Sequence, residues 1–223
     1  IIMTSVLSQV CRANLLILQQ KVALMDALVS RHATPEKAFY TICPIVGASI
    51  GMHLRHSMDH IERASVAAAA STSSSFKTVN SISIKTASSN VIHYDLRNRG
   101  GTDETNMEVA RNKISNVSNI LQYIKEQCDI MEQEKRRDFS EVLQGKNSVE
   151  ACFFLSGDAN SPEVGLHSTI ARELGFAAHH AIHHLVLVKI IALNCAGLQE
   201  TDLPRGLGMA PSTIIHHLDA TNT

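Results

Sequence analysis

Apolar residues at Val10, Leu15, Leu18, Val22, Met25 and Val29 recur at three- and four-residue steps, which predicts a first long helix over residues 4–31 with one buried stripe. Thr34-Pro35-Glu36-Lys37 reads as a helix start, with Thr capping and Pro in the first turn. Pro44 interrupts that pattern, so the next long helix is expected to begin between residues 44 and 51 and to run to Ala64 or into the alanine run beyond it. A third helix is expected from residues 102–105 to about 135, burying Val109, Ile114, Val117, Ile120, Leu121 and Ile124. Residues 149–155 and 164–170 are short β-leaning runs that predict a hairpin. The last long helix is expected over 171–196, stopping at Gly197.

The connecting segments lack such periodicity. Residues 65–92, with Ala67 to Ala70 followed by a serine-rich run, read as a mobile insertion. Residues 93–103 read as a loop, and the 197–223 tail as mostly irregular. Four amphipathic helices bury their stripes most simply as an antiparallel four-helix bundle. The expected fold is therefore all-α with a small β-hairpin insertion, in one domain spanning 1–223.

Composition narrows the function classes. A formal net charge of −1 without long basic runs argues against a nucleic-acid-binding face, which needs clustered Lys and Arg. The 175–198 run is apolar enough to suggest a membrane helix, but four histidines and Lys189 inside it favour a buried bundle helix. The cysteines, Cys11, Cys43, Cys128, Cys152 and Cys195, are odd in number and form no C-x-x-C. Together with the lack of a recognisable signal peptide, this predicts reduced thiols in a cytoplasmic protein. A small molecule is then the expected partner, with neither nucleic acid nor membrane.

Histidine placement changes the picture most. Two stretches, His53-Leu54-Arg55-His56-Ser57-Met58-Asp59-His60 and His179-His180-Ala181-Ile182-His183-His184, gather imidazoles on predicted helices. His53, His56 and His60 fall within an arc of roughly 60°, and His179/His183 and His180/His184 are both i,i+4 pairs. Burying several imidazoles on one face is costly unless each finds a partner, and a metal ion satisfies several together. The chain has no H-E-x-x-H, no E-x-x-H repeat and no cysteine beside these histidines, so three nitrogen ligands with an open position are the simplest account. Spacing alone leaves the register open within each stretch.

The segment His56-Ser57-Met58-Asp59-His60-Ile61-Glu62 and the H-x-x-x-H pair on the last helix resemble the DinB/YfiT-like superfamily of metalloenzymes. The chain is most similar to an uncharacterised branch marked by the His53 to His60 stretch (H-x-R-H-x-x-D-H here), Tyr94-Asp95-Leu96-Arg97-Asn98-Arg99 and Met209-Ala210-Pro211-Ser212-Thr213. The resemblance implies metal ligands at His56, His180 and His184. It also implies a divalent transition metal (zinc first, then nickel or iron) and, in some members, a low-molecular-weight thiol used by transferases or isomerases. Pairing of bundles into a homodimer is a further expectation by analogy.

Remaining residues receive supporting roles. His60 or His183 would move a proton, as catalytic residues. Tyr94, Arg97 and Arg99 would bind an anionic substrate group, unless an Arg–Asp network pins that loop to the bundle. Asp59 and Glu62 would either accept an N–H from a ligand histidine or lie on a solvated face, and His216 and His217 are expected at the surface. The leading expectation is a mononuclear metal-dependent hydrolase or thiol-dependent transferase or isomerase. The alternatives are a non-catalytic metal- or ligand-binding bundle, and an interaction module with a pH-sensitive histidine core.

Overall fold

The computed structural model describes residues 5–72, 90–96, 100–134, 140–158 and 160–221. The described chain is mostly helical, with α1 (Val6–Arg31), α2 (Pro35–Tyr40), α3 (Ile50–Thr72), α4 (Met107–Gln133), α5 (Ser140–Leu143), α6 (Ile170–Asn194) and α7 (Pro211–Thr221). A three-stranded sheet comprises β1 (Val91–His93), β2 (Ser148–Phe153) and β3 (Val164–Thr169), in that spatial order.

The long helices fall where apolar periodicity places them, but the buried stripe of α1 is rotated from the expected one. Leu7, Cys11, Asn14, Leu18, Lys21, Met25 and Leu28 are buried, while Val29 is 54% exposed. The cause is two polar residues within the stripe. Asn14 Nδ2 donates to the carbonyls of Val10 (2.9 Å) and Leu174 (3.0 Å), and Lys21 Nζ donates to Ser57 Oγ (2.7 Å) and the Leu54 carbonyl (3.4 Å). Buried polar groups held this way are tolerated in a core, yet an apolar count passes over them. On α4, likewise, Val109 is exposed whereas Ile114, Val117, Leu121 and Ile124 are buried.

Three connecting segments are corrected. Residues 65–72 belong to α3, with Ala67, Ala68 and Ala69 buried, because alanine is the best helix former and its small side chain suits close packing. Residues 73–89 lie outside the described residues. The expected 93–103 loop starts inside β1, which pairs parallel with β2 through Val91↔Glu150, Ile92↔Ala151 and His93↔Cys152. A single 3-10 turn follows at Thr102–Glu104. The tail contains α7, begun by Pro211, with the Ala210 carbonyl accepting from Thr213 N (2.9 Å) and Ile214 N (3.1 Å). The hairpin expected at 149–155 and 164–170 is present as antiparallel β2 and β3, registered from Ser148↔Thr169 to Phe153↔Val164.

The chain divides into two compact units. The first joins the beginning of α1 to 59–99 and 115–178, and holds the sheet. The second takes 17–58, 100–114 and the chain from His179 onward. In the second unit Cys43 and Cys195 are joined in a disulfide, their Cα atoms 5.8 Å apart, while Cys11, Cys128 and Cys152 are free and buried. The expectation of reduced thiols is corrected for that pair: 152 residues separate the two in sequence, and only the fold brings them together. Among the described helices α6 is long and apolar enough to cross a membrane. It carries a buried face of Ala177, Ala181, Leu185, Val188 and Ala192, the pattern of a core helix.

Candidate metal centre

In the second unit the beginning of α3 and the later part of α6 each contribute histidines. Ser49 starts α3, its hydroxyl accepting from Met52 N at 3.1 Å. Gly51 is buried against the main chain of Glu104, and Arg55 Nε reaches the Glu104 carboxylate at 2.8 Å. Ser57 Oγ donates to the His53 carbonyl at 2.9 Å and receives Lys21 Nζ. These contacts fix the turn that bears His53 and His56. Gly208, in the tail, lies where a Cβ would stand 2.9 Å from Val186 N on α6, so the tail closes over the turn after His184.

From these supports three rings converge. His180 Nε2 stands 3.1 Å from His56 Nε2 and 3.1 Å from His184 Nε2, and one ligand nitrogen from each residue lies within 4.8 Å of the others. The i,i+4 spacing on α6 supplies two rings on one face, and α3 supplies the third. The rings of His56 meet those of His180 and His184 nearly edge-on, at 83° and 88°. Of the alternatives open in sequence, His179 and His183 are exposed. His53 turns its Nδ1 to His184 Nδ1 at 2.9 Å, and its Nε2 is buried without a hydrogen-bond partner among the described residues.

The donor chemistry fits an ion. Three Nε2 atoms this close cannot satisfy one another with ring protons alone, since each neutral imidazole has one N–H and one lone pair. A cation takes all three lone pairs at once. Ligands about 2.0–2.1 Å from a tetrahedral ion stand about 3.3 Å apart, close to the separations found here. Burial and the neighbouring His56, His180, His53 and His183 push the His184 imidazole down to about 2, so it stays a neutral base with a lone pair to offer. His53 is lowered as well, by burial and then by His183.

Other residues singled out in the sequence lie elsewhere. His60 is buried in the first unit, stacked on Tyr94 with ring centroids 4.8 Å apart. Tyr94 is fully buried and donates its hydroxyl to Glu173 Oε2 at 2.8 Å; burial and the Glu173 carboxylate push its phenol far up. The expected substrate-facing phenol is thus a core residue packed on Phe153 and Phe176, because the parallel strand before it turns it inward. Arg97 and Arg99 lie outside the described residues. Their neighbour Asp95 accepts from Phe154 N at 3.0 Å, and Arg63 donates to the carbonyls of His93 and Leu96, which pins the segment. Asp59 is buried, which removes it from a solvated face, and Glu62 is half-buried, whereas His216 and His217 are exposed.

His183 sits beside the cluster, its ring 5.3 Å from that of His184. Gly51, Arg55, Glu104 and Lys21 were not among the expected site residues. Arg55 stands within the histidine motif itself and Gly51 two residues before it, which is the signal that could have drawn them in. Set against protein-family models, curated proteins and solved structures, the chain matches none.

Proposed function

We propose that this protein is a mononuclear metal-dependent enzyme in which His56, His180 and His184 hold one divalent transition ion, zinc first. The observation that carries the reading is the convergence of three imidazole nitrogens, with His180 Nε2 at 3.1 Å from both of its neighbours. In this reading the helices form an antiparallel bundle of DinB/YfiT-like type. The chemistry is that of a hydrolase or of a thiol-dependent transferase or isomerase.

An ion held by three neutral nitrogens would supply Lewis acidity for polarising a substrate oxygen or sulfur, or for activating water. The chain's own residues then have defined tasks. Arg55 and Glu104 hold the α3 turn that presents His56. The exposed His183, next to His184, would pass a proton to solvent. His60, buried in its aromatic stack, is assigned to the core in this reading instead of to proton transfer.

Elemental analysis of purified protein tests the assignment. About one transition-metal ion per chain is expected in the wild type, and none in the His56→Ala/His180→Ala double variant. Wild-type metal content in that variant overturns it.

A further inference from the structure

Both ring nitrogens of His184 are engaged. Nε2 faces His180 Nε2 at 3.1 Å, and Nδ1 faces His53 Nδ1 at 2.9 Å. Between two neutral imidazoles, one Nδ1 must carry the proton and the other must accept it. The choice decides what His184 can do. With its proton on Nε2, that N–H points into the cluster and no ion can bind there. With its proton on Nδ1, the Nε2 lone pair faces the cluster, and His53 accepts.

We propose that His53 is a positioning residue that selects the ion-binding tautomer of His184 by accepting its Nδ1–H. This rests on the metal reading given above. Accepting on Nδ1 places the proton of His53 on Nε2, which is buried and has no hydrogen-bond partner among the described residues. An N–H buried in that way carries a cost, which support of a ligating ring would offset. The acceptor behind a metal-bound histidine is commonly a carboxylate or a carbonyl. Here it is a neutral imidazole, so from this side nothing reduces the positive charge of the centre. That suits a substrate with an anionic group.

The experiment compares zinc affinity, by competition with a chromogenic chelator, in wild type, His53→Ala and His53→Asn. The asparagine amide oxygen can take the place of Nδ1 as an acceptor. His53→Ala is expected to weaken zinc binding about tenfold to a hundredfold. It should keep one ion per chain and the same cobalt(II) absorption bands, and His53→Asn should recover most of the affinity. Long-range nitrogen–proton spectra of the zinc-loaded wild type should show His184 protonated on Nδ1, a readout that needs no variant to fold. A wild type that binds no zinc overturns the metal reading and this inference together. Zinc binding in the wild type that His53→Ala leaves unchanged overturns the positioning role alone, as does an Nε2–H tautomer at His184. Altered cobalt bands in His53→Ala would make His53 a ligand, which also overturns it.

Discussion

The main chain of Glu104 occupies the space that a side chain on Gly51 would need. A Cβ there would lie 2.0 Å from the Glu104 carbonyl oxygen and 2.7 Å from Phe39 Cε1. In an open helix, Gly→Ala stabilises by roughly 1 kcal/mol through backbone entropy and propensity. At Gly51 the clash is with a carbonyl, which cannot swing aside as a side chain can, and overpacking of this kind costs typically about 1–3 kcal/mol. Gly51→Ala is therefore expected to lower stability by about 1–2 kcal/mol in urea titration and to weaken zinc binding by shifting His53 and His56. A gain in stability would show that the two segments are not in contact.

Arg55 and Glu104 form an ion pair at 2.8 Å with side chains only 8% and 11% exposed. Removing one member of such a pair leaves a buried charge and costs roughly 3–5 kcal/mol, whereas replacing both by apolar groups costs far less. Glu104→Leu should thus be markedly less stable than the Arg55→Leu/Glu104→Leu double variant. A double-mutant cycle with additive losses would refute the coupling.

The metal-free protein should lose stability in acid. His184 is held down to about 2 by burial and by neighbouring imidazoles, below its ordinary value of about 6.5. Between these values the unfolded chain takes up a proton that the folded chain refuses. The contribution of the neutral ring is therefore complete above about pH 6.5 and is lost progressively as the pH falls towards 2. Urea midpoints measured from pH 7.5 to 4.5 should decline, and less steeply in His184→Leu. Parallel slopes in the two proteins would place the effect elsewhere.

Thiol counting tests the cysteine arrangement. In denaturant without reductant three thiols should react, those of Cys11, Cys128 and Cys152. Burial, first of all, raises the Cys11 thiol and pushes that of Cys128 to about 12, so both should be silent in the folded protein at neutral pH. Opening the Cys43–Cys195 bridge releases a constraint over 152 residues of chain. Chain-entropy arguments put its worth at roughly 5 kcal/mol, and observed values for disulfides are more often about 2–4 kcal/mol. Five reactive thiols, or a urea midpoint indifferent to reductant, would contradict the bridge.

Tyr94→Phe separates a core role from a substrate-binding one. The variant removes the 2.8 Å hydrogen bond to Glu173, a carboxylate with no exposed surface. A loss of about 1–3 kcal/mol in stability is expected, with metal content unchanged. Unchanged stability together with a raised KM for an identified substrate would restore the substrate role.

The long helices were legible because their apolar spacing survives any detail of packing, and the hairpin because two β-leaning runs flank turn residues. What escaped detection depends on partners distant in sequence. Lys21 and Asn14 are buried only because Ser57, Leu54 and Leu174 offer them acceptors, so the stripe of α1 could not be placed from apolar residues alone. β1 is three residues long, too short for alternation to register, and it exists through its pairing with β2. Periodicity narrowed the histidines to two stretches. It could not choose between His180/His184 and His179/His183, since the rotation of α6 is set by which of its faces is buried.

Between His56 and His180 lie 124 positions of chain. At roughly 5–20 residues per second, a ribosome needs about 6–25 s to make that stretch. Throughout this interval the nascent chain displays the α3 histidines without the two rings that converge on them. On the metal reading, a centre built on all three therefore does not exist until α6 has been made, and an ion would be held only after that point. An ion there would thus be won in competition with other chelators once α6 has joined α3, not captured by α3 alone.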